Sequence, residues 1–90
     1  MDSGIILKRK DSIITADMRG SAVTMDVNTG KYYNLGETGG FIWNCMKEEI
    51  SYGRLIEKIS EEYGITAKEC EQDVEKFVKK LIDDGLVSVK

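Results

Sequence analysis

The 90-residue sequence has no histidine, no proline and only two cysteines, Cys45 and Cys70. Without histidine, and with the two thiols at no metal-like spacing, a zinc site is short of ligands, so neither metal nor cofactor is expected. Both cysteines read instead as small, buried apolar groups. The same lack deprives every Ser and Cys of the usual activating base, and no G-x-S-x-G elbow is present. Lys or a carboxylate remains available as a base, but pairs such as Glu61-Glu62 and Asp83-Asp84 arise by chance among 16 acidic residues and read as solvated helix faces. A non-enzymatic protein is the expectation. No apolar run approaches the roughly 20 residues that cross a bilayer. Met1-Asp2-Ser3-Gly4 puts no basic region ahead of an apolar stretch, which points to a cytoplasmic protein without a signal peptide. A net charge of -3 and a pI near 4.9 argue against attraction to phosphate backbones, hence no nucleic acid and no membrane among the partners.

With 41% hydrophobic and 32% charged residues, the composition is that of one globular domain spanning residues 1–90, limited by its length to one compact core. Ile5 to Lys10 begins apolar, ends basic and reads as a short extended leading segment. Ile13 to Met18 is rich in β-branched residues, and Arg19-Gly20 can turn it back. From Ser21 to Val27, Val23, Met25 and Val27 alternate with Ala22, Thr24 and Asp26, the pattern of a half-buried strand. Asn28 and Thr29 suit the centre of a type I turn and Gly30 a positive φ, predicting a three-residue hairpin loop with a bulge. The third strand follows, with Tyr33 and Leu35 on one face and Tyr32 and Asn34 on the other.

Gly36 to Lys47 reads as a first helix, in which Gly39 and Gly40 imply a close approach to the sheet. Ser51 can cap a second, striped by Leu55, Ile56, Ile59 and Tyr63 and stopped by Gly64. Thr66-Ala67-Lys68-Glu69 has the form of a capping box and opens the longest helix, which Gly85 ends before a short closing strand or tail at Leu86-Val89. The sum is an α+β winged helix-turn-helix arrangement: a three-stranded antiparallel N-terminal sheet followed by three helices.

Two ligand classes that such a domain could serve fit poorly. Gly36, Gly39 and Gly40 lack the spacing and the Lys of a phosphate loop. As a DNA-recognition element the third helix is wrong in sign, because Lys68, Lys76, Lys79 and Lys80 are outnumbered by Glu69, Glu71, Asp73, Glu75, Asp83 and Asp84. An acyl-carrier domain would need an Asp-Ser-Leu attachment triplet and would not begin with three strands. What remains is an unpaired strand edge beside a helix with more apolar surface than one core needs. A peptide added to that edge gains main-chain hydrogen bonds while its alternate side chains enter the groove. On this reading Lys31, Tyr32, Tyr33, Asn34 and Leu35 are the template, contributing mainly backbone groups. Cys70, Asp73, Val74, Phe77, Lys80 and Leu81 lie in the helical sector bordering the groove, with Phe77 and Leu81 as its wall. The alternative is that Phe77 and Leu81 are ordinary core and the edge is simply exposed. Asp73 can instead pair with Lys76 or Lys80, whereas Lys76, Lys79 and Lys80 can attract an acidic peptide in a salt-sensitive way.

Gly30-Lys31-Tyr32-Tyr33-Asn34-Leu35, followed by Glu37-Thr38-Gly39 and Ile42-Trp43, resembles the G-[RK]-Y-[YF]-x-L-N-x-[TV]-[GA]-x-x-[IV]-W pattern of PqqD-like proteins. Asp73-Val74, Phe77-Val78, Leu81 and Gly85-Leu86-Val87 are similar to the ending of the same family, so the likeness runs from Lys10 onward. Gly36 departs from the Asn that usually caps the first helix, which bears on where that helix starts. The resemblance implies a recognition element for ribosomally made, modified peptides, binding a precursor's leader as a strand between the third strand and third helix. The Gly39 and Ile42-Trp43 form is closer to the free-standing lasso-peptide members than to those serving pyrroloquinoline quinone. For a lasso member the implied partners are the precursor leader, with a Tyr-x-x-Pro motif, a transglutaminase-like cysteine protease and an ATP-dependent macrolactam cyclase. Apart from the resemblance, the open strand edge itself offers a route to self-association.

Overall fold

The computed structural model describes residues 1–19 and 21–90. Four strands come first, β1 (Ile6–Arg9), β2 (Ile13–Met18), β3 (Ser21–Asp26) and β4 (Tyr32–Leu35). Then follow α1 (Gly36–Cys45), the short β5 (Ile50–Ser51), α2 (Tyr52–Tyr63), α3 (Ala67–Asp83) and β6 (Val87–Val89). β2, β3 and β4 form the expected antiparallel sheet in that order, and the three helices follow it. Met18 pairs with Ser21 and Arg19 takes a φ of 58°, while Gly20, the other half of the expected turn, lies outside the described residues.

The leading segment is more than an extended lead-in. β1 is the centre of a second antiparallel sheet, ordered β5-β1-β6, in which Leu7 is fully buried and pairs with Ile50 on one side and Val89 on the other. Its partners are too short to carry a periodicity of their own. Arg9 couples this sheet to the rest of the molecule: its guanidinium lies 4.1 Å over the Trp43 ring, and Arg9 and the indole N–H both donate to the Thr15 hydroxyl.

The β3–β4 hairpin corrects the expected loop. Asp26 N–H donates to Lys31 O at 3.0 Å and Gly30 N–H to Asp26 O at 2.7 Å. Val27, Asn28, Thr29 and Gly30 therefore make a four-residue loop rather than one of three, with Gly30 at the expected positive φ of 73°. The Asp26 carboxylate fixes this geometry by accepting from Asn28 N–H at 2.9 Å, Ser12 Oγ and Lys10 Nζ. These bonds, the Asn28 amide foremost, hold its pKa below the usual carboxylate value.

β3 is half buried, as its alternation predicts, but with the opposite phase to its hydrophobicity. Ala22, Thr24 and Asp26 face the helices, whereas Val23 and Met25 are only partly covered and Val27 is exposed. The inversion is tolerable because each inward group is satisfied or small. Thr24 Oγ1 donates to Tyr33 O, Asp26 has the partners above, and Ala22 sits beneath Gly40. A Cβ on Gly40 would lie 2.9 Å from that of Ala22, which is the close approach to the sheet that the glycine pair implies.

The helix ends fall where their capping residues put them. Ser51 accepts from Arg54 N–H, Gly64 closes α2 at a φ of 63°, and Thr66 and Glu69 form the reciprocal box that opens α3. Tyr52, buried at the start of α2, donates to Glu71 O on α3, and burial pushes its hydroxyl pKa up to about 12. α1 ends at Cys45 instead of Lys47, because Met46 and Lys47 N–H groups bond three residues back and tighten the last turn. The core gathers Leu7, Trp43, Met46, Leu55 and Val78 between the two sheets and the helices. Among the described residues no helix is long and apolar enough to cross a membrane.

Candidate functional site

β4 is a border strand: β3 pairs along one side of it, and among the described residues no strand pairs along the other. The bond from Asp26 N–H to Lys31 O, with the register running from Met25↔Tyr32 to Val23↔Asn34, fixes which groups are spare. Hydrogen-bonded pairs alternate along an antiparallel ladder, so Lys31 and Tyr33 bond inward to β3. The N–H and C=O groups of Tyr32 and Asn34 point outward. Of the five template residues, these two offer the edge its backbone bonds.

The strand ends in a bulge. After Val23↔Asn34 the pairing passes to Ala22↔Gly36, leaving Leu35 as an extra residue with φ -90° and ψ -13°. Such a residue near αR kinks the strand and re-aims its side chain. Asn34 Oδ1 accepts from Gly36 N–H and from Ser21 Oγ and so fixes the bulge, while α1 starts without a side-chain cap bond where the family's usual Asn is missing. Gly36, at a φ of 72°, then leads straight into α1.

Beyond this bulge lies a largely apolar cavity of about 400 Å³. Five of the residues proposed from sequence line it: Leu35, Cys70, Asp73, Val74 and Phe77. Lys31, Tyr32, Tyr33 and Asn34 form the adjoining edge instead, with Tyr32 71% exposed and Tyr33 turned toward the core. The two readings of Phe77 and Leu81 separate. Phe77 is half-buried and stands in the cavity wall, whereas Leu81, only 2% exposed, continues the Val74–Val78 stripe into the core and forms no part of the groove. Lys80 is exposed one turn past Phe77, outside the cavity. Asp73 makes no ion pair with Lys76 or Lys80, and Lys79 instead approaches Glu75 at 3.9 Å.

The remaining wall was not anticipated from the sequence. Ile59, Tyr63 and Ile65 reach in from the end of α2 and the following turn, while Thr38, Gly39 and Ile42 come from α1 and Glu69 from α3. One signal was available: Tyr63 and Ile65 extend the apolar stripe of α2 past its glycine stop, and both remain exposed. Gly39 has a second role here. A Cβ at that position would meet Phe77 Cζ at 2.9 Å and Leu35 Cβ at 3.2 Å, so its bareness lets α1, β4 and α3 converge on the cavity.

Neither thiol is activated, since burial pushes both pKa values up. Cys70 is buried as expected, but Cys45 is only half-buried, in an open cleft of mixed polarity beside Phe41 and Lys58. Among the described residues no cluster of three or more His, Cys, Asp or Glu is placed to hold a metal.

Comparison with known proteins follows the same lines. Residues 21–87 match the model of the family described as PqqD, coenzyme PQQ synthesis protein D. The structure of TbiB1 in complex with the TbiA(beta) leader peptide is similar at a TM-score of 0.81 and 25% identity, over 90% of this chain and 94% of that one. A lasso peptide synthetase B1 complexed with the leader peptide shares the fold at a TM-score of 0.77 and 21% identity, over 91% and 96% of the two chains. No curated protein matches the sequence.

Proposed function

The chain belongs to the PqqD family, and from that premise we propose that it binds the leader segment of a ribosomally synthesised precursor peptide as a strand added to β4 beside α3. The observation carrying this reading is the outward pair of backbone groups at Tyr32 and Asn34 next to the cavity walled by Leu35 and Phe77. An added strand satisfies the edge, and its alternate side chains face the groove. Residues opposite Tyr32 and Asn34 lie on the outer face with them. The residue opposite Tyr33 faces inward, and the one reaching past the bulge has the cavity in front of it. An aromatic ring, such as that of a Tyr-x-x-Pro leader, suits so apolar a space. The leader-bound TbiB1 structure supports leader binding, and the lasso peptide synthetase B1 that shares the fold favours a lasso-peptide pathway. The family's description favours, as a second reading, the precursor of pyrroloquinoline quinone.

The protein acts by holding and presenting the leader. Its downstream partners are a transglutaminase-like cysteine protease, which removes the leader, and an ATP-dependent macrolactam cyclase. In the absence of a leader, the same edge is free to pair with a second copy of the chain.

The test is an amide titration with labelled leader peptide. Signals of Lys31 to Leu35 and of α3 should shift, while a DNA duplex leaves them in place and the precursor incubated with this protein alone keeps its mass. Shifts confined to other surfaces, or produced by DNA, would reject the assignment.

A further inference from the structure

The groove has a direction. At one end Leu86 O accepts from Lys10 N–H at 2.9 Å, Lys10 Nζ reaches Asp26, and Asp26 bonds Lys31 O, so the C-terminal end of α3 stands near the Lys31 end of β4. At the other end Phe77 lies against Gly39 and Leu35. α3 and β4 therefore run antiparallel, with the cavity at the Leu35 end.

The charges along that line are sorted. Glu69 and Asp73 both line the cavity. Glu69 accepts from Thr66 N–H within the capping box, and Asp73 has no hydrogen-bond or ion-pair partner among the described residues. α1 brings the positive end of its dipole to Thr38 and Gly39, a partial charge set against two whole ones. One helical turn beyond Phe77, exposed Lys80 stands on the same side of α3, with Lys76 beside it. Helices advance about 1.5 Å and strands about 3.3 Å per residue, which sets Lys80 between the levels of Asn34 and Tyr33. Asp84 comes a further turn along, toward the level of exposed Lys31. Lys79 is directed to Glu75 and takes no part.

Resting on the leader-binding reading above, we propose that the groove selects a charge-polarised strand: a cation facing Glu69 and Asp73, an apolar or aromatic side chain against Phe77 and Leu35, and an anion facing Lys80. These three occupy successive groove-facing, hence alternate, positions of the peptide. Apolar shape alone would accept the ring in either strand direction; the paired charges set direction and register.

Three synthetic peptides decide the matter. One carries Lys, Tyr and Glu at alternate positions, the second exchanges Lys and Glu, and the third has Gln at both. Binding of the neutral peptide tests the leader-binding reading by itself. Wild-type protein should prefer one charged peptide over the other by about fivefold to tenfold at low salt, a gap that narrows as salt rises. The doubly substituted Asp73→Lys, Lys80→Glu protein should reverse the order, and both positions are exposed, so the fold is retained. Equal affinities for the charged pair, or an order that survives the double substitution, would overturn the polarity while leaving strand addition intact. Failure of all three peptides to bind would overturn both.

Discussion

Adjacent glycines in α1 should respond to the same substitution in opposite ways. In Gly40→Ala the new Cβ meets Ala22 Cβ at 2.9 Å and Ala22 N at 3.4 Å, and a sheet strand has nowhere to go. Overpacking of this kind costs about 1–3 kcal/mol. Set against a helix-propensity gain of about 1 kcal/mol, the net is a destabilisation of up to about 2 kcal/mol. For a domain this size each kcal/mol lowers Tm by about 4–8 °C. In Gly39→Ala the nearest obstacle is Phe77 Cζ, also at 2.9 Å, but that is the tip of a side chain bordering open space, and Leu35 Cβ at 3.2 Å need give only a few tenths of an ångström. Moving the Phe77 tip from 2.9 Å to the 3.4 Å of ordinary contact takes about half an ångström, and the ring can swing into the cavity. Stability should therefore stay within about 1 kcal/mol of wild type, while leader affinity falls about tenfold or more because the ring fills the space meant for the ligand. Thermal melts and leader titrations on the two variants separate the effects. An equal Tm loss in both, or an unchanged leader affinity in Gly39→Ala, would refute the account of how α1, β4 and α3 meet.

The edge register predicts that Tyr32→Pro, which removes an outward N–H, folds but binds leader about tenfold more weakly, whereas Tyr33→Pro breaks a bond to β3 and is unstable to urea. Denaturation curves beside the titrations check both. Leu81→Ala should cost about 2–5 kcal/mol, as a core truncation, while Phe77→Ala should cost less stability and show its main loss in leader affinity. The depressed pKa of Asp26 means that its contribution to stability is complete above the carboxylate's unfolded value and is lost as pH falls through the folded one. Melts recorded as a function of pH should thus show an acid limb that flattens in Asp26→Asn.

Local chemistry made most of the helices and the hairpin legible. Ser51, Gly64, Thr66, Glu69 and Gly85 act within one turn of themselves, so their meaning does not depend on the rest of the fold. What depends on distant partners was harder to see. β1 has its strand identity only because Ile50 and Val89 meet it, and neither neighbour declares itself in sequence. Likewise β3 turns Thr24 and Asp26 inward because Tyr33, Lys10 and Ser12 supply their hydrogen bonds, which hydrophobic alternation cannot register. The fourth loop residue of the hairpin has the same origin in Asp26. At the site, four of the six α3 residues read from sequence, Cys70, Asp73, Val74 and Phe77, line the cavity, but Phe77 and Leu81 stand one turn apart with the same apolar character. Only the placement of Gly39 beside one of them tells groove from core. The contribution of α2 went unseen because Tyr63 and Ile65 straddle the glycine that ends the helix.

The pairing of β6 with β1 reaches well beyond the small sheet it completes. β6 follows α3 across a turn at Gly85, and Lys90 N–H still bonds Ile6 O at 2.8 Å. That pairing is a mooring line: it stops the long helix from rolling away from β4. Fraying the last few residues would leave every groove side chain in place on its own element, yet the two banks would drift apart, and the molecule would lose its grip on a guest from the end of the chain that the guest never touches.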